Sequence, residues 1–370
     1  MDKSGHHPPL IDSTPTPATI DAMHTYGIDQ DSLWMTRALE LAHKGLGTTS
    51  PNPPVGAVIV KNGVLLGEGW HERAGELHAE RRAINHARLR GHEQELKGAT
   101  IYVTLEPCSS YGRTPPCTQA IIDAGIKRVV YGAVDPDERH SGRADAILTA
   151  HGIRVRSECC ATACELLLRP WAWSIRHRRP RVKAKVASTM DGRLTRAGLK
   201  WLSCRESIRF AHQMRLESDA ILVGGNTLRT DDPALTIRQP YSEVPRIKQQ
   251  PWRIVMTRDS TSLPETAKVF TDKDAERTLI REDVGNLRAM LQSLYEEHDV
   301  VNLMLECGGR LLRTFLEEGL INEWVQIVTP QISGGPDLLL PGYYLPQERK
   351  FEQEELIPSG KDIIVRGLVY

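Results

Sequence analysis

The chain has 370 residues, more than a single domain usually holds, with Lys+Arg and Asp+Glu balanced at 47 each. That balance excludes a global field steering it to nucleic acid or an anionic membrane, and aromatics at 5% argue against a base-stacking surface. No apolar run reaches the ~18 residues of a membrane span, and seven cysteines, an odd number, suit a reducing compartment better than a disulfide framework.

The first thirty residues carry Pro8, Pro9, Pro15 and Pro17 with little apolar periodicity, which predicts a disordered tail over 1–30. They lack the basic and apolar regions of a secretory signal, so a cytoplasmic location is expected. Order is expected from the Asp31-Ser32 cap signal, followed by Leu33, Trp34, Met35, Ala38, Leu39, Leu41 and Ala42 at helical spacing. Val55–Val60 and Val64–Leu66 flank Asn62-Gly63, the signature of a tight hairpin turn. His78 to Arg90 reads as a helix ended by Gly91, and Ile101–Leu105 as a buried strand. Thr118 to Ala124 reads as a helix closed by Gly125, with Val129–Tyr131 as the next strand. Such alternation predicts an α/β layer domain with a mostly parallel sheet. Cys159, Cys160 and Cys164 fall in a further helical stretch, as core or semi-buried thiols.

The tract Arg176-His-Arg-Arg-Pro-Arg181 predicts a solvated cationic linker, placing a domain boundary near residue 178. Alternation then restarts. Val182–Ala187, Ala220–Val223, Arg253–Met256, Val301–Leu305 and Trp324–Val328 read as strands, and Arg205–Leu216 as a helix.

The chemistry-bearing residues of the first half are His78-Ala79-Glu80, then Pro107-Cys108 and Pro116-Cys117. One imidazole and two thiolates satisfy a catalytic zinc, which takes three protein ligands and leaves one position for water. Zinc lowers the pKa of that water to about 7. Glu80, offset from the ligand, is left to shuttle protons. An H-x-E triplet followed by Pro-Cys pairs is the pattern of zinc nucleobase deaminases. A structural zinc is the competing reading, but such sites want four ligands. Both cysteines are expected at helix N-termini, which favour thiolate. Eight residues separate them here, many more than in nucleic-acid deaminases, and the balanced charge also opposes a tRNA-editing role.

Pro51-Asn52-Pro53, Gly69-Trp70-His71, the His78-Ala79-Glu80 triplet and the long stretch from Thr104 to Cys117 resemble the bifunctional riboflavin-biosynthesis deaminase/reductase family. The resemblance implies a cytidine-deaminase-like three-layer α/β domain over 31–177 and a dihydrofolate-reductase-like α/β domain over 178–370. It implies zinc on His78, Cys108 and Cys117, with Glu80 as proton carrier, acting on a small diaminopyrimidinone that bears a phosphoribosylamino group. Asn52, His71, Arg113 and Asp135 match positions that contact this substrate, Arg113 through its phosphate. Ser110 and Leu77 depart from the family pattern, as does the stretch from Asp137 to His140.

For the second half, Gly224-Gly225 and Gly308-Gly309 are glycine turns after strands, and neither forms a dinucleotide fingerprint. The family resemblance implies NADPH there, contacted by Ala187, Trp201, Thr227, Asp231, Gly308, Gly309 and Arg310. It implies that Lys185, Arg215, Leu235, Arg238 and Glu306 face the substrate, the arginines holding its phosphate while the ribosyl group is reduced to ribityl. Leu199 stands for a substrate-binding serine in a shortened loop, which leaves open an active deaminase joined to a degenerate reductase-like domain. The resemblance also implies a homo-oligomer.

Overall fold

Asp29 accepts a hydrogen bond from the Asp31 amide and caps helix α1, Gln30–His43, so the helix starts slightly earlier than the Asp31-Ser32 signal predicts. Asp31 is instead buried in the first turn, where it accepts bonds from Tyr102 and Arg128. The structure, a computed structural model, describes residues 29–110, 115–138, 141–195, 198, 201–238, 248–282, 285–342 and 344–370. Residues 1–28, Arg113 and Leu199, about which the sequence raises expectations, lie outside the described residues. The chain divides into two compact units, Met1–Arg169 and Pro170–Tyr370.

In the first unit, Asn62-Gly63 turns strand β1, Gly56–Lys61, into β2, Val64–Trp70, as an antiparallel pair. Helix α2, Ala79–Leu89, follows, then β3, Thr100–Leu105. After it come α3, Cys117–Asp123, and β4, Arg128–Ala133. Helix α4, Arg143–Ala150, and β5, Arg154–Arg156, complete the sheet, ordered β2-β1-β3-β4-β5. The expected mostly parallel sheet is corrected here: β1 runs antiparallel to both β2 and β3, and only β3, β4 and β5 are mutually parallel. The hairpin reverses the chain, whereas a parallel neighbour needs a helical crossover.

Glycines let helices lie close on both faces of this sheet. A Cβ on Gly56 would sit 2.0 Å from the Ala38 carbonyl oxygen of α1, and one on Gly67 2.3 Å from the Ala83 oxygen of α2. The two positions point to opposite faces, which gives the helix–sheet–helix layering.

Only part of the cationic tract is solvated: Arg176, His177 and Arg178 are exposed, but they do not form a free linker. Arg176 and His177 end helix α5, Ala161–His177, while Arg181 opens strand β6, Arg181–Thr189. Arg181 is buried against Glu323, whose other carboxylate oxygen lies 3.6 Å from Lys183 and 2.8 Å from Arg366. A cation this deep needs its carboxylate partner. Cys164 lies in α5 as expected, but Cys159 and Cys160 occupy the turn before it.

The second unit continues with α6, Arg205–Leu216; β7, Ala220–Gly224; α7, Gly225–Asp231; and β8, Trp252–Met256. Then come α8, Lys268–Thr271; β9, Thr278–Arg281; α9, Leu287–His298; and β10, Asn302–Leu305. Last are α10, Gly309–Glu317; β11, Glu323–Thr329; β12, Phe351–Ser359; and β13, Asp362–Val369. The sheet order is β12-β13-β11-β6-β10-β7-β8-β9, parallel from β11 to β9 and antiparallel at β13 and β12. Alternation along the strands feeds two cores: Leu303, Leu305, Ala220 and Leu222 join one, while Met304, Ile221 and Val223 join the other. Both sheet faces are therefore covered, as parallel strands require.

Candidate active sites

In the first unit, His78 stands at the N-cap of α2 in extended conformation, so its ring turns off the helix while Glu80 sits inside the first turn. Cys108 lies on the loop after β3, and Cys117 is the first residue of α3. The His78 Nδ1 lies 3.5 Å from Cys108 Sγ and 3.4 Å from Cys117 Sγ, and the three donor atoms fall within 4.8 Å of one another. Two further contacts hold the loops together. The Thr118 amide donates to the Cys108 carbonyl at 3.2 Å, and Arg81 of α2 donates to the carbonyls of Pro115 and Pro116.

Cys108 is not at a helix N-terminus, contrary to expectation. Hydrogen bonds from the Cys117 thiol and from His78 outweigh burial and hold its thiol at about 4, and the Cys117 amide adds a third at 3.2 Å. The Cys117 thiol is pushed well up, because it donates to Cys108, is buried, and sits near negative charge at Glu80 and Cys108. Glu80 is only 4% exposed, and burial reinforced by the Cys108 thiolate raises its carboxyl above the ordinary range. A soft, three-donor cluster beside a buried carboxyl fits zinc with one position open.

His71 ends the same wall. Its Nδ1 donates to the Leu77 carbonyl at 3.1 Å, so Nε2 accepts from the Asn52 amide at 3.0 Å. Burial, with the neighbouring His78, lowers the pKa of this ring against the opposing bond to Leu77. Its plane meets that of His78 edge-on at 5.4 Å between centroids. Asn52, His71 and His78 thus form one connected group. Asp135 lies beyond β4, where its Oδ1 accepts from the Asp137 amide at 2.9 Å. Glu106, which no sequence motif singles out, is buried and accepts from the amides of Asp135, Gly142 and Ala144.

In the second unit, Lys185 and Ala187 lie on β6, Glu306 follows β10, and Thr227 lies on α7 directly after β7. The order β6-β10-β7 is parallel, so these residues share one carboxyl-end edge, where open α/β sheets bind ligands. Glu306 accepts from Arg215 Nε at 2.5 Å and Nη2 at 2.9 Å, while Arg215 Nη1 donates to the Thr236 carbonyl at 3.1 Å. Burial opposes ionisation of Glu306, but Arg215 and then Lys185 outweigh it and hold the carboxyl at about 2. Burial lowers the Lys185 pKa, with the Glu306 charge opposing. His212, three residues before Arg215 on α6, is buried on the same helix face and is likewise singled out by no sequence motif. Burial, then Arg215 and Arg238, depress its pKa to about 4.

Gly308 caps α10 and Gly309 has φ 60, a conformation that favours glycine. A Cβ on Gly308 would come within 2.2 Å of Leu194 Cδ1. Leu235 is buried with φ 51, and Arg238, Asp231, Arg310 and Trp201 are exposed. The glycine turn at a helix start after a strand suits a dinucleotide phosphate, the group NADPH would present.

Residues 28–133 match the family described as cytidine and deoxycytidylate deaminase zinc-binding region, and residues 180–365 match the RibD C-terminal domain. Among curated proteins, riboflavin biosynthesis protein RibD of Aquifex aeolicus is 39% identical over 325 residues, covering 82% of this chain and 88% of its own. RibD of Escherichia coli strain K12 is 35% identical over 372 residues, covering 90% and 98%. Among solved structures, Acinetobacter baumannii RibD superposes with a TM-score of 0.82 at 34% identity, covering 92% of this chain and 99% of that one. The Thermotoga maritima diaminohydroxyphosphoribosylaminopyrimidine deaminase/5-amino-6-(5-phosphoribosylamino)uracil reductase gives 0.81 at 32% identity, covering 91% and 98%. On the paired matches and the two sites, the chain belongs to the RibD family of bifunctional riboflavin-biosynthesis proteins, with a zinc-dependent deaminase region followed by an NADPH-dependent reductase region.

Proposed function

We propose that the chain carries out two successive steps. The first is hydrolytic deamination of a diaminopyrimidinone bearing a phosphoribosylamino group; the second is reduction of its ribosyl group to ribityl. The observation that carries the reading is the cluster of His78, Cys108 and Cys117 beside the buried Glu80. Zinc, when bound there, supplies a Lewis acid that brings a water's pKa to about 7. Glu80 takes a proton from water and delivers it to the departing amino nitrogen, a task that its raised pKa suits. His71 and Asn52, locked to each other, orient the pyrimidine, and Asp135 and Arg113 complete its grip.

For the second step, NADPH supplies the hydride. Ala187, Trp201, Thr227, Asp231, Gly308, Gly309 and Arg310 are assigned to the nucleotide, and Lys185, Leu235, Arg238 and Glu306 to the substrate. Arg215 takes a different part from the one implied by resemblance. Its guanidinium is engaged by Glu306 and Thr236, so it positions Glu306, and the exposed Arg238 holds the phosphate. The charged array of Glu306, Arg215 and Lys185 favours a working reductase over a degenerate domain. We assign domain limits of 31–177 and 178–370, which keep the whole of α5 with the first domain although the compact units divide within it at Arg169 and Pro170. We also assign a cytoplasmic location on the basis of seven free thiols, no nucleic-acid partner, and a homo-oligomeric state.

The test is to follow ammonia release on the diaminopyrimidinone and NADPH oxidation on its deaminated product separately with purified protein. Both are expected. Absent ammonia release removes the deaminase reading, and absent NADPH oxidation leaves a deaminase with an inactive second domain.

A further inference from the structure

Glu106 directly follows β3 and precedes Cys108 by two positions, and its side chain is only 4% exposed. Its Oε2 accepts from the amides of Asp135 at 3.2 Å and Gly142 at 3.1 Å, and its Oε1 from that of Ala144 at 3.1 Å. Helix α4 explains two of these bonds. Its N-cap, Gly142, is in the left-handed region with φ 72 and has no side chain with which to cap the first turn. Amides at a helix start need an acceptor, and a negative charge there is favourable. Glu106 supplies that acceptor from the end of β3.

The third bond reaches the other end of the same excursion, at Asp135. Backbone pairing of Glu106 with Ala133 at 2.8 Å fixes the strand end from which the carboxylate extends. One buried carboxylate therefore ties the segment that carries Asp135 to the strand that delivers a metal ligand.

We propose that Glu106 is a positioning residue for deamination: by holding the Asp135 and Gly142 amides it keeps Asp135 against the substrate, governing substrate grip rather than metal binding or proton transfer. The proposal rests on the reading of Asp135 as a substrate contact.

Glu106→Gln keeps the size but leaves one acceptor oxygen where the carboxylate has two. It should raise the deaminase KM about tenfold, the scale of a lost hydrogen bond to a charged acceptor, with kcat and zinc content nearly unchanged. NADPH oxidation on the deaminated substrate should be unaffected, and amide exchange at Gly142 and Ala144 should quicken. Glu106→Asp, which keeps both oxygens on a shorter arm, should recover part of the KM. In an Asp135→Ala background, Glu106→Gln should raise KM no further. A drop in kcat at constant KM, zinc loss from folded protein, or fully additive KM effects would overturn the proposal. Asp135→Ala alone separates the two levels. An unchanged KM there removes the substrate contact on which the proposal rests, whereas a raised KM there with a normal KM in Glu106→Gln overturns the proposal alone.

Discussion

Arg215 grips Glu306 through two parallel hydrogen bonds, at 2.5 and 2.9 Å, and each side chain is 12% exposed. A planar guanidinium matches a carboxylate in this fork as no lysine can. Removing the cation leaves a buried, uncompensated charge. Arg215→Ala should therefore destabilise the protein by about 3 kcal/mol in denaturant unfolding and abolish NADPH oxidation, with ammonia release retained. Arg215→Lys should restore stability in part and reduction poorly. The pair also sets an acid limit. Glu306 is held at about 2, so its contribution is fully present above the ordinary glutamate value and fades as pH falls toward 2.

His212 gives a second dependence of the same sign in a higher pH window. Burial first, then Arg215 and Arg238, hold it at about 4, so the folded protein stays unprotonated there where the unfolded chain takes up a proton. Protons then favour unfolding, and stability falls as pH drops from about 6.5 toward 4. Between pH 7 and pH 5 this one group should remove ~2 kcal/mol. His212→Gln should flatten that part of the profile of unfolding midpoint against pH. An unchanged slope would mean that the ring titrates normally.

Asp31 anchors the first helix to the sheet. It accepts from Tyr102 at 2.9 Å and from Arg128 at 2.7 and 2.5 Å, and it also pairs with Arg156. Burial opposes its ionisation, but Arg128 and Tyr102 prevail and hold it at about 2. Asp31→Ala strands the buried Tyr102 hydroxyl and takes the partner from the partly exposed Arg128 and Arg156, so it should cost about 2 kcal/mol, read as a lower thermal midpoint. Both activities should survive at low temperature.

Much of this was legible in the residues. Asn62-Gly63 announced the hairpin, because that pair accepts the positive φ that a tight turn needs, here 51 and 76. His78, Cys108 and Cys117 were legible because soft ligands in that order have few other uses. Glu106 was not, because its partners are backbone amides far along the chain and no side-chain pattern records them. The cationic tract misled for a related reason. Arg181 resembles a solvated charge until β11 brings Glu323 beside it. Strand β12, Phe-Glu-Gln-Glu-Glu-Leu-Ile-Pro-Ser, is largely exposed and carries three glutamates, so neither burial nor alternation marked it; β13 recruits it by pairing.

We propose that one chain carries a zinc-dependent deaminase whose proton carrier is Glu80, together with a reductase. Glu80→Gln tests it most directly, with zinc content, ammonia release and NADPH oxidation measured on the same preparation. General acid–base catalysis of this kind contributes at least about 100-fold, so ammonia release should fall by that much or more. Zinc should stay bound at the level of the unaltered protein, and NADPH oxidation on the deaminated substrate should be unchanged. Ammonia release that persists in Glu80→Gln with zinc bound would contradict the account.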